Sequence, residues 1–156
     1  METGVSYAKL DPDHDERFLS LRRELGVTSF GINQILLKPG QRGRIHLHHE
    51  QEEVFIVLSG TLTLTVEGEP RELGQGELAR VAPNVKRQLA NCDPAEDCLL
   101  VALGGHGEHV GRDGEAFERW DQETGAPREV WLALCAETDV PPERRYGVGR
   151  LEPRRR

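Results

Sequence analysis

Cysteine is scarce and unpatterned in this chain. Cys92, Cys98 and Cys135 are the three among 156 residues. The number is odd and no Cys-x-x-Cys occurs, so neither a disulfide framework nor a thiolate zinc site organises the fold. Each cysteine lies in or beside an apolar run that reads as core, not as a nucleophile. No apolar run approaches the ~18 residues of a spanning helix, and no membrane contact is expected. A surplus of positive charge is lacking too. Lys and Arg number 20 against 27 Asp and Glu, a net charge of −7, the wrong sign for nucleic acid as the default partner. One local exception is residues 142–156, six Arg against Glu143 and Glu152, read as a solvated basic tail. Residues 1–16 lack the basic start and apolar stretch of a secretory signal. A cytoplasmic protein is therefore expected. No internal repeat, phosphate-binding loop, dinucleotide fingerprint or Ser-His-Asp signature occurs.

What remains is an ordinary soluble composition, 37% hydrophobic with 17 Gly, of a length that suits one domain. Residues 13–25 read as a helix. Acids crowd its first turn, Arg22 and Arg23 lie near its end, and Phe18, Leu21 and Leu25 form one apolar face. From Gly31 the pattern changes to about seven short, β-branched and apolar segments separated by turn residues, among them Pro39-Gly40, Ser59-Gly60 and Gly104-Gly105. Thr61 to Val66 alternates strictly, with Leu62, Leu64 and Val66 on one face and three Thr on the other. Such spacing means an antiparallel sandwich or barrel. Residues 114–122 suggest a short helix, and residues 127–137 a last apolar segment that caps the barrel or packs across a dimer. The expected divisions are an N-terminal extension over 1–29, a β-barrel over 30–110, a packing segment over 111–140 and the tail over 141–156.

The histidines carry the functional information. His46, His48 and His49 fall within four positions, followed by Glu52 and Glu53. Strand residues two apart share a face, so His46 and His48 project side by side while His49 and Glu52 point elsewhere, towards solvent. If residues 49–52 turn, the next strand runs antiparallel and brings Glu53 opposite the pair. Two imidazoles and a carboxylate form a ligand set for one divalent transition metal such as Fe, Mn, Ni, Zn or Cu. By the same parity Arg44 shares the His46 face and can anchor a substrate carboxylate. Phe55 and Val57 share the Glu53 face and line the deeper pocket. Gln34, mid-strand in an apolar run, is a candidate donor to the site. Trp120 and Trp131 read as packing residues, and His14, His106 and His109 have no partner pattern.

The run Gly40-x5-His46-x-His48-x4-Glu53-x6-Gly60 matches the first cupin motif at every defined position. The second cupin motif is matched loosely: Gly76, Pro83 and Asn91 are present, with one extra residue between Gly76 and Pro83. Val85 stands where Gly is usual and Gln88 where His is usual, and the gap from Gln88 to Asn91 is one residue short. Over roughly residues 30–105 the chain resembles a small single-domain cupin. The resemblance implies an all-β, antiparallel jelly-roll barrel, to which the residue patterns add a short N-terminal helix and a C-terminal extension. It also implies a metal held by His46, His48, Glu53 and, in the fourth place, Gln88. Two function classes follow. One is a metal-dependent enzyme of oxygenase, isomerase or lyase type, with Arg44 and Phe55 binding a small molecule. The other is a non-catalytic binding or sensor barrel with weak or no metal. Cupins often dimerise, so a homodimer is expected under either.

Overall fold

The computed structural model describes residues 4–105 and 113–127. The apolar segment 127–137 (beyond Pro127), the basic tail, Cys135, Trp131, His106 and His109 lie outside the described residues. Within them, β-branched alternation produces two antiparallel sheets. The first orders β1 (Phe18–Leu19), β2 (Gly31–Leu37), β9 (Cys98–Gly105), β4 (Glu52–Ser59) and β7 (Leu78–Val81), with β2 beside β9 and β9 beside β4. The second orders β11 (Ala126–Pro127), β10 (Gly114–Phe117), β3 (Ile45–His48), β8 (Arg87–Ala90), β5 (Leu62–Val66) and β6 (Glu69–Leu73). The fold is a jelly-roll sandwich with almost no helix.

The core lies between the sheets, where each strand contributes every second residue. Phe55 and Val57 from β4, Leu62 and Leu64 from β5, and Cys98, Leu100 and Ala102 from β9 meet there. The Leu and Thr faces of β5 fall as the alternation requires. β2 is buried on both faces, because Ile35 and Leu37 point into the core while α1 (Leu21–Leu25) packs on the strand.

Three local expectations fail. The helix over 13–25 shrinks to α1, since Phe18 and Leu19 instead pair with Ile35 and Gln34 as an edge strand. Ladder bonds offered by the edge of β2 outweigh helical periodicity there. Residues 114–122 are not a helix: Gly114–Phe117 pairs along the whole of β3 and a turn follows. Lys86 holds that stretch down, its Nζ donating to the carbonyls of Trp120 (2.9 Å) and Gln122 (2.5 Å) and lying 4.4 Å above the Phe117 ring centroid. Gly104 and Gly105 continue β9 rather than turn.

Asn91, fully buried, clamps the rim of the sandwich. Its Nδ2 donates to Leu37 O (2.9 Å) and Glu96 O (2.8 Å), and its backbone carbonyl accepts from the N–H of Gly40 at 2.9 Å. Asn91→Ala leaves the buried Leu37 carbonyl and the partly buried Glu96 contact without that donor. The expected loss is about 2–3 kcal/mol, read as a lower urea midpoint at unchanged slope; a shift under about 0.5 kcal/mol contradicts the clamp.

Candidate metal centre

β3 and β4 do not form the expected hairpin. β3 belongs to one sheet and β4 to the other, so residues 49–51 cross between sheets and Glu53 faces the imidazoles across the interior. Asp113 fixes this crossover: its Oδ2 accepts from the backbone N–H of Glu50 (2.8 Å) and of Gln51 (2.9 Å). The outcome for the donor atoms is the one the spacing implied. His48 Nε2 lies 3.3 Å from Glu53 Oε1, and His46 Nε2 lies 3.9 Å from Glu53 Oε2. One donor atom from each of His46, His48 and Glu53 falls within 4.8 Å of the others.

The donor set suits a divalent ion. His46 Nδ1 is 3.0 Å from the carbonyl of Arg44. A carbonyl only accepts, so Nδ1 keeps its proton, and Nε2 is the nitrogen that faces Glu53 when the ring is charged and can bind a metal once its proton is lost. Burial raises the pKa of the Glu53 carboxyl, but the charge of the adjacent His46 and His48 rings outweighs it and holds the group well below its ordinary 4.5. Glu53 is therefore the anion that ligation needs.

The three groups line a cavity of about 330 Å³ that Arg44 and Phe55 also line. Phe55 is 1% exposed and belongs to the core as well. Arg17, carried by the N-terminal segment, lines it too; nothing in its sequence neighbourhood marked it. Val57 is core alone. Gln34 does not reach the site. Its side chain is spent on the backbone of Asp11, accepting from N–H at 2.6 Å and donating to the carbonyl at 2.5 Å. His49 and Glu52 face outwards, His49 near Glu115 at 3.4 Å and Glu52 paired with Arg80. The Cys98 thiol is pushed up to about 11 by burial, which removes it as a nucleophile. Cys92 is exposed rather than core.

Gln88 is not brought to the cluster. It pairs in register with Thr65, on the outer Thr face of β5, and its amide donates to Gly43 O at 2.9 Å. The residue beside it takes the inner place. Arg87 pairs with His46, is fully buried, and sets its Nε 3.4 Å from Glu53 Oε2. The motif's own spacing held this signal. Counting back from Asn91 across three residues reaches Arg87, and across the preceding pair reaches Asn84, whose φ of 59° supplies the left-handed turn that a glycine usually provides. Anchoring on Pro83 shifts the register by one.

Residues 33–104 match the family described as Cupin domain. A cupin protein from Bacteroides fragilis is 27% identical, with 68% of this chain and 86% of that one covered and a TM-score of 0.56. A protein described as a sugar phosphate isomerase, from Acidithiobacillus ferrooxidans, is 26% identical, with 64% and 63% covered and a TM-score of 0.56. Among curated proteins, a mannose-1-phosphate guanylyltransferase of Escherichia coli is 28% identical over 86 residues, 54% of this chain and 17% of that enzyme. The chain spans between 10% and 17% of the length of such relatives.

Proposed function

We infer that the chain, which belongs to the cupin superfamily, is a metal-dependent small-molecule enzyme of isomerase, lyase or oxygenase type. The observation that carries this reading is the convergence of His46 Nε2, His48 Nε2 and Glu53 from two facing sheets within one cavity, with the His46 tautomer fixed by Arg44. Those three residues would hold a divalent transition ion, which supplies Lewis acidity at an open coordination position. The chain's own residues do the rest. Arg44 orients a carboxylate or phosphate of the substrate, Phe55 floors the cavity, and the apolar walls exclude water from the reacting end. Relatives named for sugar phosphates favour a compact, anionic, sugar-sized substrate, for which about 330 Å³ is enough. A cytoplasmic homodimer that binds neither nucleic acid nor membrane belongs to the same proposal. Among the described residues no helix is long and apolar enough to cross a membrane.

A second reading, a binding cupin without catalysis, is favoured by the guanidinium of Arg87 beside Glu53. Elemental analysis after separate exposure to Fe, Mn, Ni, Cu and Zn, with His46→Ala alongside, separates the two. The enzyme reading expects up to one equivalent per chain in the parent protein and none in a variant that still folds cooperatively, weakening on acidification because imidazole must be neutral to ligate. No bound metal at any concentration tried removes the enzyme reading. The barrel's ligand is then sought by thermal shift with small carboxylates and sugar phosphates.

A further inference from the structure

Arg87 is the largest fully buried side chain in the described structure. Burying a guanidinium is expensive unless it is paired and hydrogen-bonded throughout. This one is not: Nη2 donates to Ala82 O at 3.2 Å, while Nε and Nη1 make no hydrogen bond. Its ion-pair partner is Glu53, the one acid of the ligand cluster, and the oxygen it faces, Oε2, has no hydrogen bond either. His46 is its direct cross-strand neighbour. A fixed positive charge therefore lies against the ligands on the side where β8 closes the cluster.

We propose that Arg87 is a built-in affinity regulator: its guanidinium takes up the charge of Glu53 and keeps His46–His48–Glu53 a weak, exchangeable metal site. The proposal rests on the reading of that cluster as a metal site. The physical ground is charge. A divalent ion entering between the imidazoles and Glu53 meets a cation a few ångströms away in a region of low dielectric, where interactions of unit charges are several times stronger than in water. It must also compete with that cation for the same carboxylate. An imidazole in place of the guanidinium reverses both effects, adding a neutral donor from β8 and freeing Glu53, so that four side chains converge as in a closed zinc site. The chain thus lies one substitution from a tight metal centre.

The test is a titration of the metal-free protein with Zn²⁺ and with Ni²⁺ by calorimetry, comparing the parent with Arg87→His, Arg87→Met and Arg87→His/His46→Ala, each first checked for a cooperative thermal transition. Arg87→Met removes the charge without adding a donor, keeps similar volume, and reports on charge alone should the imidazole variant fail to fold. Binding by Arg87→His is expected to be roughly a hundredfold tighter than by the parent or more, by Arg87→Met roughly tenfold tighter, and by the double variant at or below the parent level. Binding by Arg87→His without any by the parent supports the role of Arg87 while removing the metal-dependent enzyme reading. Equal or weaker binding by both single variants overturns the role of Arg87 and leaves that reading standing if the parent binds. No binding by any variant overturns both.

Discussion

Glu53→Gln is expected to lower folding stability by about 3–5 kcal/mol, the range seen when one partner of a buried ion pair is removed. The large effect comes from Arg87, not from Glu53. The guanidinium has no exposure, and burial already pulls its pKa down against the opposing charges of Glu53 and Glu67. A neutral amide leaves it inside without its counter-charge. The double variant Glu53→Gln/Arg87→Met should recover most of the loss, giving a coupling energy above about 2 kcal/mol. Urea unfolding of the four proteins in the presence of chelator measures this. A cost below about 1 kcal/mol for Glu53→Gln, or additive costs in the double variant, sinks the account.

Glu53, held down by His46 and His48, also sets an acid limb. The folded protein holds the Glu53 carboxyl below its ordinary 4.5, so the unfolded chain binds the extra proton as pH falls past that value. Its contribution is complete above about pH 4.5 and is lost progressively on further acidification. Between about pH 5 and pH 3 the stability of the metal-free parent should therefore fall more steeply than that of Glu53→Gln.

Gly60→Ala carries the second large effect, about 3–4 kcal/mol, a drop of roughly 10 °C in Tm for a chain of this size. Gly60 has φ +74°, and a Cβ there would lie 2.1 Å from the backbone carbonyl oxygen of Asp97 and 3.0 Å from Cys98 Cα. Neither neighbour is a side chain that can swing away. Gly76→Ala is the control. Its φ is +81° but nothing lies within 4 Å of the added carbon, so only backbone strain remains, about 1–2 kcal/mol. Equal losses at the two positions would show that the close approach at Gly60 does not exist.

Local chemistry was legible in the sequence and partner choice was not. His46, His48 and Glu53 lie within eight residues of one another, and strand parity alone puts both imidazoles on one face. Leu62 and Leu64 against Thr63 and Thr65 announce a half-buried strand in the same way. The three residues between β3 and β4 fit a hairpin or a crossover between sheets equally well, so Glu53 was expected beside the histidines when it faces them across the core. Phe18 and Leu19 keep helical spacing yet join the edge of β2, because an open ladder is invisible in a single sequence. Arg87 was missed because a charged residue within a strand reads as exposed, and only the neighbourhood of Glu53 explains its burial.

The stretch that matches the Cupin domain, residues 33–104, is not the whole of what holds the donor atoms. β10 pairs along the full length of β3, whereas β8 meets β3 at His46 alone. The strand bearing both imidazoles thus depends for most of its ladder on residues outside the recognisable domain, which Lys86 and Asp113 fasten in place. Transplanting only the matched stretch into another protein would carry over every ligand but leave behind Arg17 and the β10 residues that help to line the cavity. It would also turn β3 into a nearly free border, open to fraying and to recruitment by a stranger's strand. Heredity of the motif and mechanical integrity of the site are lodged in different segments of this polypeptide.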